Sequence, residues 1–352
     1  MIRKIKYYQA INEALSISLK KDKKVYLIGL GVPDPKGIFG TTIDLQNKFG
    51  KNRVMDMPTA ENGMTGIAIG TALGGFKPVI SHQRVEFALL SMEQIINQAA
   101  KWHYMTAGED YLPLVIRLIV GRGWGQGPQH AQNLESLFAH IPGLKIVSPS
   151  SPNDAKGLLI SSIKDKNPVI FYEHRWLHNT YGFVDKKYFE VPLGKAKVVK
   201  RGSDITIVSN SYMIIECLKC VNFFKKFNIS IELIDLRTIR PLDKSTIVNS
   251  VKKTKRLIVV DNSWQSFGVS AEVVSTVVEN RSIHLLSSPS RLGFAEVPSP
   301  SSRALISKYY PDAYQIALKI KESLKVKTNI NSLKKNKNDL IDIPDNKFTG
   351  PF

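Results

Sequence analysis

Residues 57–75 read Met57-Pro-Thr-Ala-Glu-Asn-Gly-Met-Thr-Gly-Ile-Ala-Ile-Gly-Thr-Ala-Leu-Gly-Gly75. Pro58 and Thr59 form a turn that feeds a helix start, and Glu61 sits at its mouth. Repeated Gly and Thr lower helix propensity, so a helix here has to be held by close packing. An acidic residue at such a start has a plain structural explanation: it complements the helix dipole for a fraction of a kcal/mol. Whether Glu61 does only that is decided by the rest of the chain.

Working outward, short apolar runs alternate with helical periodicity. Strands are expected at 25–30, 53–57, 76–80, 114–120, 145–148 and 169–172, with helices at 5–20, 42–49, 91–105, 132–140 and 153–164. This alternation implies an α/β fold with a mostly parallel sheet covered on both faces. Residues 192–201 read as the crossing into a second α/β unit. Its strands are expected at 205–208, 231–235, 257–261 and near 284–286, with helices at 270–278 and 312–324. The expected organisation is thus two parallel or mixed-sheet domains, 1–190 and 191–325. A Lys- and Asn-rich, extended basic tail follows over 326–352.

A chain of 352 residues suits two such domains. Lys and Arg exceed Asp and Glu by 19, but the lysines are scattered and no basic stripe interleaves with aromatics. Neither nucleic acid nor a membrane is therefore an expected partner. No apolar run approaches the ~18 residues of a spanning helix, and the first residues carry no export signal. Two cysteines make no disulfide framework, and a cytoplasmic location is expected. Cys217 and Cys220 fall inside a predicted helix rather than at its start, which reads as buried structural thiols.

Gly121-Arg-Gly-Trp-Gly-Gln-Gly-Pro-Gln-His130 is a second informative stretch. Its glycines permit close backbone approach to a ligand, yet it is neither a Walker loop nor a dinucleotide fingerprint. His130 at its end is either an acid/base group or a cap for the following helix.

These residues carry a resemblance. Pro58-Thr-Ala-Glu-Asn-Gly63, Met92-Glu-Gln-Ile-Ile-Asn-Gln-Ala-Ala-Lys101, Gln129-His-Ala-Gln132, Ile141-Pro-Gly-Leu-Lys-Ile-Val-Ser-Pro149, Asp154-Ala-Lys-Gly157, Asn167-Pro168 and Leu236-Arg-Thr-Ile-Arg-Pro241 occur in order. Over roughly residues 4–325 the chain resembles the β subunit of the E1 component of 2-oxo acid dehydrogenase complexes, a transketolase-like, thiamin-diphosphate-dependent family. The resemblance implies a transketolase-like pyrimidine-binding domain followed by a transketolase C-terminal domain. It implies that Glu61 hydrogen-bonds the cofactor's aminopyrimidine nitrogen, that Phe87 stacks on the pyrimidine, and that His130 orients substrate or assists acyl transfer to lipoamide. It also implies a structural potassium site at Leu114, Ser162, Ile163, Asp165 and Asn167. The Gly-Asp-Gly and later Asn that hold the diphosphate through Mg²⁺ in the wider family are missing here. An E1 α subunit is therefore the implied partner in an α2β2 heterotetramer, together with a lipoyl-bearing E2 acyltransferase.

Two departures bear on substrate. The chain has His82-Gln-Arg-Val-Glu86 where pyruvate-type members are largely apolar, and Arg122, Trp124 and Gln126 in place of a bland loop. His82, Arg84, Arg122 and Trp124 are accordingly expected to line a pocket for a 2-oxo acid more polar or anionic than pyruvate. The expected activity is oxidative decarboxylation of a 2-oxo acid with acylation of a lipoyl group. The alternatives are the C-terminal half of a split transketolase and a non-catalytic assembly subunit, the latter opposed by the presence of both Glu61 and His130.

Overall fold

The computed structural model describes residues 1–121, 125–334 and 343. They form two compact units, one of residues 1–121 and 137–193, the other of 125–136 and 194–334. The loop carrying His130 belongs to the second unit.

The first unit has strands β1 (Ile2–Lys6), β2 (Val25–Ile28), β3 (Val54–Met55), β4 (Lys77–His82), β5 (Val115–Val120), β6 (Lys145–Val147), β7 (Val169–His174) and β8 (Tyr181–Asp185). Its sheet runs β6-β7-β5-β4-β2-β3, with every pairing parallel. β2, β5 and β7 are buried along their whole length, as a sheet covered on both faces requires. The first helix begins at Tyr7 rather than residue 5, because β1 pairs antiparallel with β8 ahead of it. The regular helix expected at 91–105 is instead a 3-10 turn (Val85–Ser91), a π-turn (Gln94–Ala99) and a short helix (Trp102–Met105). Just beyond the π-turn, Gly143 comes against the Ala100 carbonyl; a Cβ there would lie 1.8 Å from that oxygen.

The Pro152–Lys164 helix packs on Tyr7–Lys21. Ser151 caps it by accepting from the Asp154 amide at 3.2 Å, with Pro152 at the first helical position. Lys156 is buried and donates to the carbonyls of Asp185 at 2.6 Å and Lys187 at 2.9 Å, tying the helix to the end of β8. The Asp154-Ala-Lys-Gly157 motif thus supplies a cap, a clamp and a close-packing glycine, for a Cβ at Gly157 would meet Val191 at 2.4 Å.

Two charges lie inside this sheet. Ser81 on β4 pairs in register with Arg117 on β5, and Arg117 with Phe171 on β7. Glu173, two residues beyond Phe171, therefore faces the same side as Arg117. The Arg117 guanidinium donates to Glu173 through Nε at 2.6 Å and Nη2 at 2.9 Å, with both side chains fully buried. It also reaches Ser81 Oγ at 3.1 Å and Thr41 Oγ1 at 2.9 Å. Burial alone would raise the Glu173 pKa, but Arg117 and His178 outweigh it and hold the carboxyl below its ordinary range. His178, 3.7 Å from Glu173, is pushed by burial down to about 4 and is neutral at pH 7.

The second unit has β9 (Lys197–Lys200), β10 (Ile205–Ser209), β11 (Ile231–Asp235), β12 (Thr238–Arg240), β13 (Leu257–Trp264) and β14 (Ser290–Phe294). Its sheet runs β14-β13-β10-β11-β9, parallel except for β9 at the edge. The strand expected near 284–286 is displaced to β14. Leu286 instead donates its amide to the Lys255 carbonyl, and the alternating Leu292 and Phe294 continue into the sheet. Cys217 and Cys220 are buried in the Met213–Lys225 helix, and burial pushes both thiols up, away from reactivity. Asp312 caps the Ala313–Leu324 helix by accepting from the amides of Tyr314 and Gln315.

Glu173→Gln, which breaks the buried pair and leaves Arg117 uncompensated, is expected to cost about 3–5 kcal/mol, read as a lowered urea midpoint. Acid should weaken the wild type in two stages. The unfolded chain protonates its histidines below about pH 6.5, whereas folded His178 resists until about 4, so stability falls across that window. The contribution of Glu173, whose folded pKa is depressed, is lost at still lower pH as its folded carboxyl protonates. Buried His82, lowered likewise to about 4, shares that first stage, so His178→Asn should make it shallower without abolishing it, and an unchanged pH profile would refute this assignment.

Candidate functional site

In an open parallel sheet, ligands gather at the carboxyl ends of the strands, and the first unit concentrates its polar side chains there. The loop after β2 is stitched to its neighbours: the Gly31 amide donates to Asp56 Oδ1 at 2.9 Å, and Gln83 Nε2 donates to the Leu30 carbonyl at 2.9 Å. Asp56 Oδ1 also accepts from the Met57 amide, fixing the turn that leads into Pro58 and the Glu61–Leu73 helix.

Glu61 is the first residue of that helix and is 7% exposed. Its carbonyl accepts from the buried Thr65 hydroxyl at 2.8 Å, a bond that spends the threonine inside the helix. Along the other face Asn62, Gly63, Ile67 and Gly70 are exposed, and a Cβ at Gly63 or Gly70 would meet nothing within 4 Å. The small residues therefore leave open space beside the helix rather than fitting a neighbour within this chain.

His82 closes β4, buried, with no hydrogen-bond partner at Nε2; burial lowers its pKa to about 4 and keeps it neutral. Arg84 and Phe87 follow on the next turn, Arg84 buried and Phe87 half-buried, with the Phe87 amide donating to the Arg84 carbonyl at 3.2 Å. Arg175, one residue past β7, joins them. Its guanidinium carbon lies 4.7 Å, and that of Arg84 5.7 Å, from the Phe39 ring centroid. Burial and then the Arg84 charge bring Arg175 down to about 10, so both remain cationic at pH 7. Phe39 holds φ at 49°, a left-handed backbone costing an aromatic of order 1–3 kcal/mol.

The five expected potassium positions fall around one junction. Leu114 immediately precedes β5, Ser162 and Ile163 close the Pro152–Lys164 helix, and Asp165 and Asn167 lead into β7. The Leu114 and Ser162 carbonyls already accept from Val169 and Asp165 amides, and Asp165 accepts from Lys145 at 2.5 Å. Asn167 Oδ1 is buried without a partner. Among the described residues no cluster of His, Cys, Asp and Glu could hold a metal.

His130 is exposed in the 125–136 loop, its ring bonded back to the Gln129 carbonyl. It lies five residues before the Glu135–Ala139 helix, away from the N-cap position. Within the same unit Glu135, buried, accepts from Asn210 through both carboxylate oxygens at 2.9 Å. Arg122 and Trp124 lie outside the described residues. Sequence reasoning passed over Arg117, Glu173 and Arg175, and set His178 aside because the histidines lack metal-ligand spacing. The signal for the first was present, an arginine inside Leu114-Val-Ile-Arg-Leu-Ile-Val120, where a charge must be paired.

Residues 3–179 match the family described as transketolase, pyrimidine binding domain, and residues 194–316 match transketolase, C-terminal domain. The chain is 36% identical over 323 residues to the mitochondrial pyruvate dehydrogenase E1 component subunit beta of Bos taurus, covering 90% of each chain. It is 40% identical over 271 residues to the corresponding subunit of Rickettsia conorii, covering 77% of this chain and 83% of that one. The Rickettsia bellii subunit is 36% identical over 319 residues, covering 91% and 98%. Among solved structures, a split gene transketolase, described as an inactive beta4 tetramer, superposes with a TM-score of 0.75 at 19% identity, covering 92% of this chain and 99% of that one, which speaks for the fold alone. With identity sustained over most of both chains, this chain belongs to the β-subunit family of the pyruvate dehydrogenase E1 component, on a transketolase-like two-domain α/β fold.

Proposed function

We propose that the chain is the β half of a 2-oxo acid dehydrogenase E1 that decarboxylates its substrate oxidatively and passes the acyl group to a lipoyl-bearing E2 acyltransferase. Residues 1–190 serve as the pyrimidine-binding domain, 191–325 as the transketolase C-terminal domain, and 326–352 as a basic tail. The observation that carries this is Glu61, a carboxyl buried at the head of a helix on the carboxyl edge of a parallel sheet. Thiamin diphosphate, when bound, supplies the electron sink for the decarboxylation. Glu61 would hydrogen-bond the ring nitrogen of the bound cofactor, and half-buried Phe87 would offer an aromatic face for the ring. His130 supplies an imidazole for orienting substrate or moving a proton during acyl transfer.

The chain lacks the Gly-Asp-Gly and Asn of the wider family, so Mg²⁺ and the diphosphate fall to an α subunit in an α2β2 assembly. The exposed Gly63–Ile67–Gly70 face supports this, because small residues allow a facing helix to approach closely. Two free, buried cysteines suit a reducing cytoplasm. Potassium would be held by the carbonyl oxygens at Leu114, Ser162 and Ile163 with the oxygens of Asp165 and Asn167, of which Asn167 Oδ1 is the one in want of a partner.

Two measurements test this reading. In the pair reconstituted with an α subunit, Glu61→Gln is expected to lower kcat about 10²–10⁴-fold while the melting temperature holds. Activity within threefold of wild type would refute the proton role. Replacing Na⁺ by K⁺ at constant ionic strength should raise the melting temperature of the wild type and not of Asn167→Ala. Equal behaviour of the two proteins removes the potassium site.

A further inference from the structure

We infer that Asp56 and Gln83 are positioning residues, which act through the loop after β2 to set Glu61 against Phe87 for the aminopyrimidine ring of the cofactor. This rests on the thiamin-dependent reading above, in which those two side chains meet the ring, and adds what holds them in place.

Strand order brings the parts together. β4, β2 and β3 are neighbours in that order, and the chain leaves their carboxyl ends through Gln83, Gly29-Leu30-Gly31 and Asp56. The loop after β2 is therefore clasped from both sides. Gln83 Nε2 donates to the Leu30 carbonyl at 2.9 Å on the β4 side, and the Gly31 amide donates to Asp56 Oδ1 at 2.9 Å on the β3 side. Gly31 holds φ at 74°, and a Cβ there would lie 2.8 Å from Gln83 Nε2, so a larger residue would push the glutamine off its carbonyl. The clasp needs a donor at position 83 and an acceptor at position 56, which an amide and a carboxylate supply.

From each side of the clasp a short segment leads to a cofactor residue. Asp56 Oδ1 also accepts from the Met57 amide at 2.9 Å, and Glu61 follows four residues later. The turn between them has little else to aim it. Pro58 has no N–H, Thr59 and Ala60 are exposed, and the Glu61–Leu73 helix starts without a side-chain cap. β3 is two residues long and lies at the sheet edge, so it guides the turn weakly. On the other side, Phe87 lies four residues past Gln83 in the Val85–Ser91 turn, and that turn packs on the Glu61–Leu73 helix. Glu61 and Phe87 thus sit on two touching elements whose entry points are both tied to Leu30–Gly31. Asp56 is exposed and Gln83 half-buried, so neither fills the core. Their bonds serve direction, and a misplacement of about 1 Å at a reacting group can cost about a hundredfold in rate.

The test uses the full chain, alone and assembled with an α subunit. In the assembled protein, Asp56→Ala and Gln83→Met should each weaken thiamin diphosphate binding about tenfold by calorimetry and lower kcat about 10- to 100-fold, with KM for pyruvate held within about threefold. Asp56→Asn, which keeps an oxygen for both amides, should recover most of the loss. The double variant should lose less than the product of the two single losses, because both act through one loop. In the chain alone, hydrogen exchange should quicken in each single variant at residues 29–32 and also across the clasp, at 57–61 in Gln83→Met and at 84–91 in Asp56→Ala. Exchange that quickens only beside the substituted residue, asparagine no better than alanine, or a urea midpoint that falls in step with kcat overturns the proposal. If Glu61→Gln leaves turnover unchanged, the proton reading fails instead, and the exchange pattern alone then decides the clasp.

Discussion

The bidentate contact between Arg117 and Glu173 is the constraint on which the first unit depends. Taking two charges fully out of water costs several kcal/mol per ion, and their attraction returns this only when every remaining donor is satisfied. Arg117 meets that condition by reaching Ser81 and Thr41 as well as Glu173. A pair of apolar side chains of equal volume would stabilise the sheet about as well, so stability alone does not explain the charges. What they add is directionality. Hydrogen bonds from one guanidinium fix β4, β5, β7 and the loop after β2 in a single register, which interchangeable aliphatic contacts do not.

That register decides the character of the carboxyl edge. Once Thr41 is held, Phe39 is carried into position against Arg84 and Arg175, and its unfavourable backbone is tolerated because the loop beside it is anchored. With Glu173 committed to Arg117, His178 lacks the full counter-charge that would keep it protonated, and burial prevails. The edge therefore combines neutral imidazoles at His82 and His178 with persistent positive charge at Arg84 and Arg175. Glu61 opens a helix on the same edge, three strands' worth of loops having converged there.

Much of this was legible in the sequence. The alternation of strands and helices gave a parallel α/β sheet because buried strands read as short apolar runs, and Glu61 at a helix start was evident from the Pro58–Thr59 turn. The β1–β8 ribbon was not legible. Ile2–Lys6 joins Tyr181–Asp185, whose residues lie far along the chain, and the Tyr7–Lys21 periodicity bleeds into the strand before it. The π-turn at Gln94–Ala99 was invisible too, since local composition favours a regular helix there. Arg175 was missed for a different reason. Its partner residues are Phe39 and Arg84, and no spacing rule connects positions 39, 84 and 175.

The motifs that carried the resemblance turn out to be occupied largely with packing. Asp154, Lys156 and Gly157 cap, clamp and fit one helix; Gly143 passes the Ala100 carbonyl; Arg237 donates to the Lys195 carbonyl and holds the segment entering the second unit. Such residues determine that the chain folds as its relatives do, and they say little about what the edge accepts. His82 and Arg84, where the sequence departs from the apolar pattern, are the side chains that cluster at the carboxyl edge. Fold and family are therefore carried by one set of residues, and the lining of the carboxyl edge by another. A chain can keep the first set intact while the second is rebuilt around a different charge.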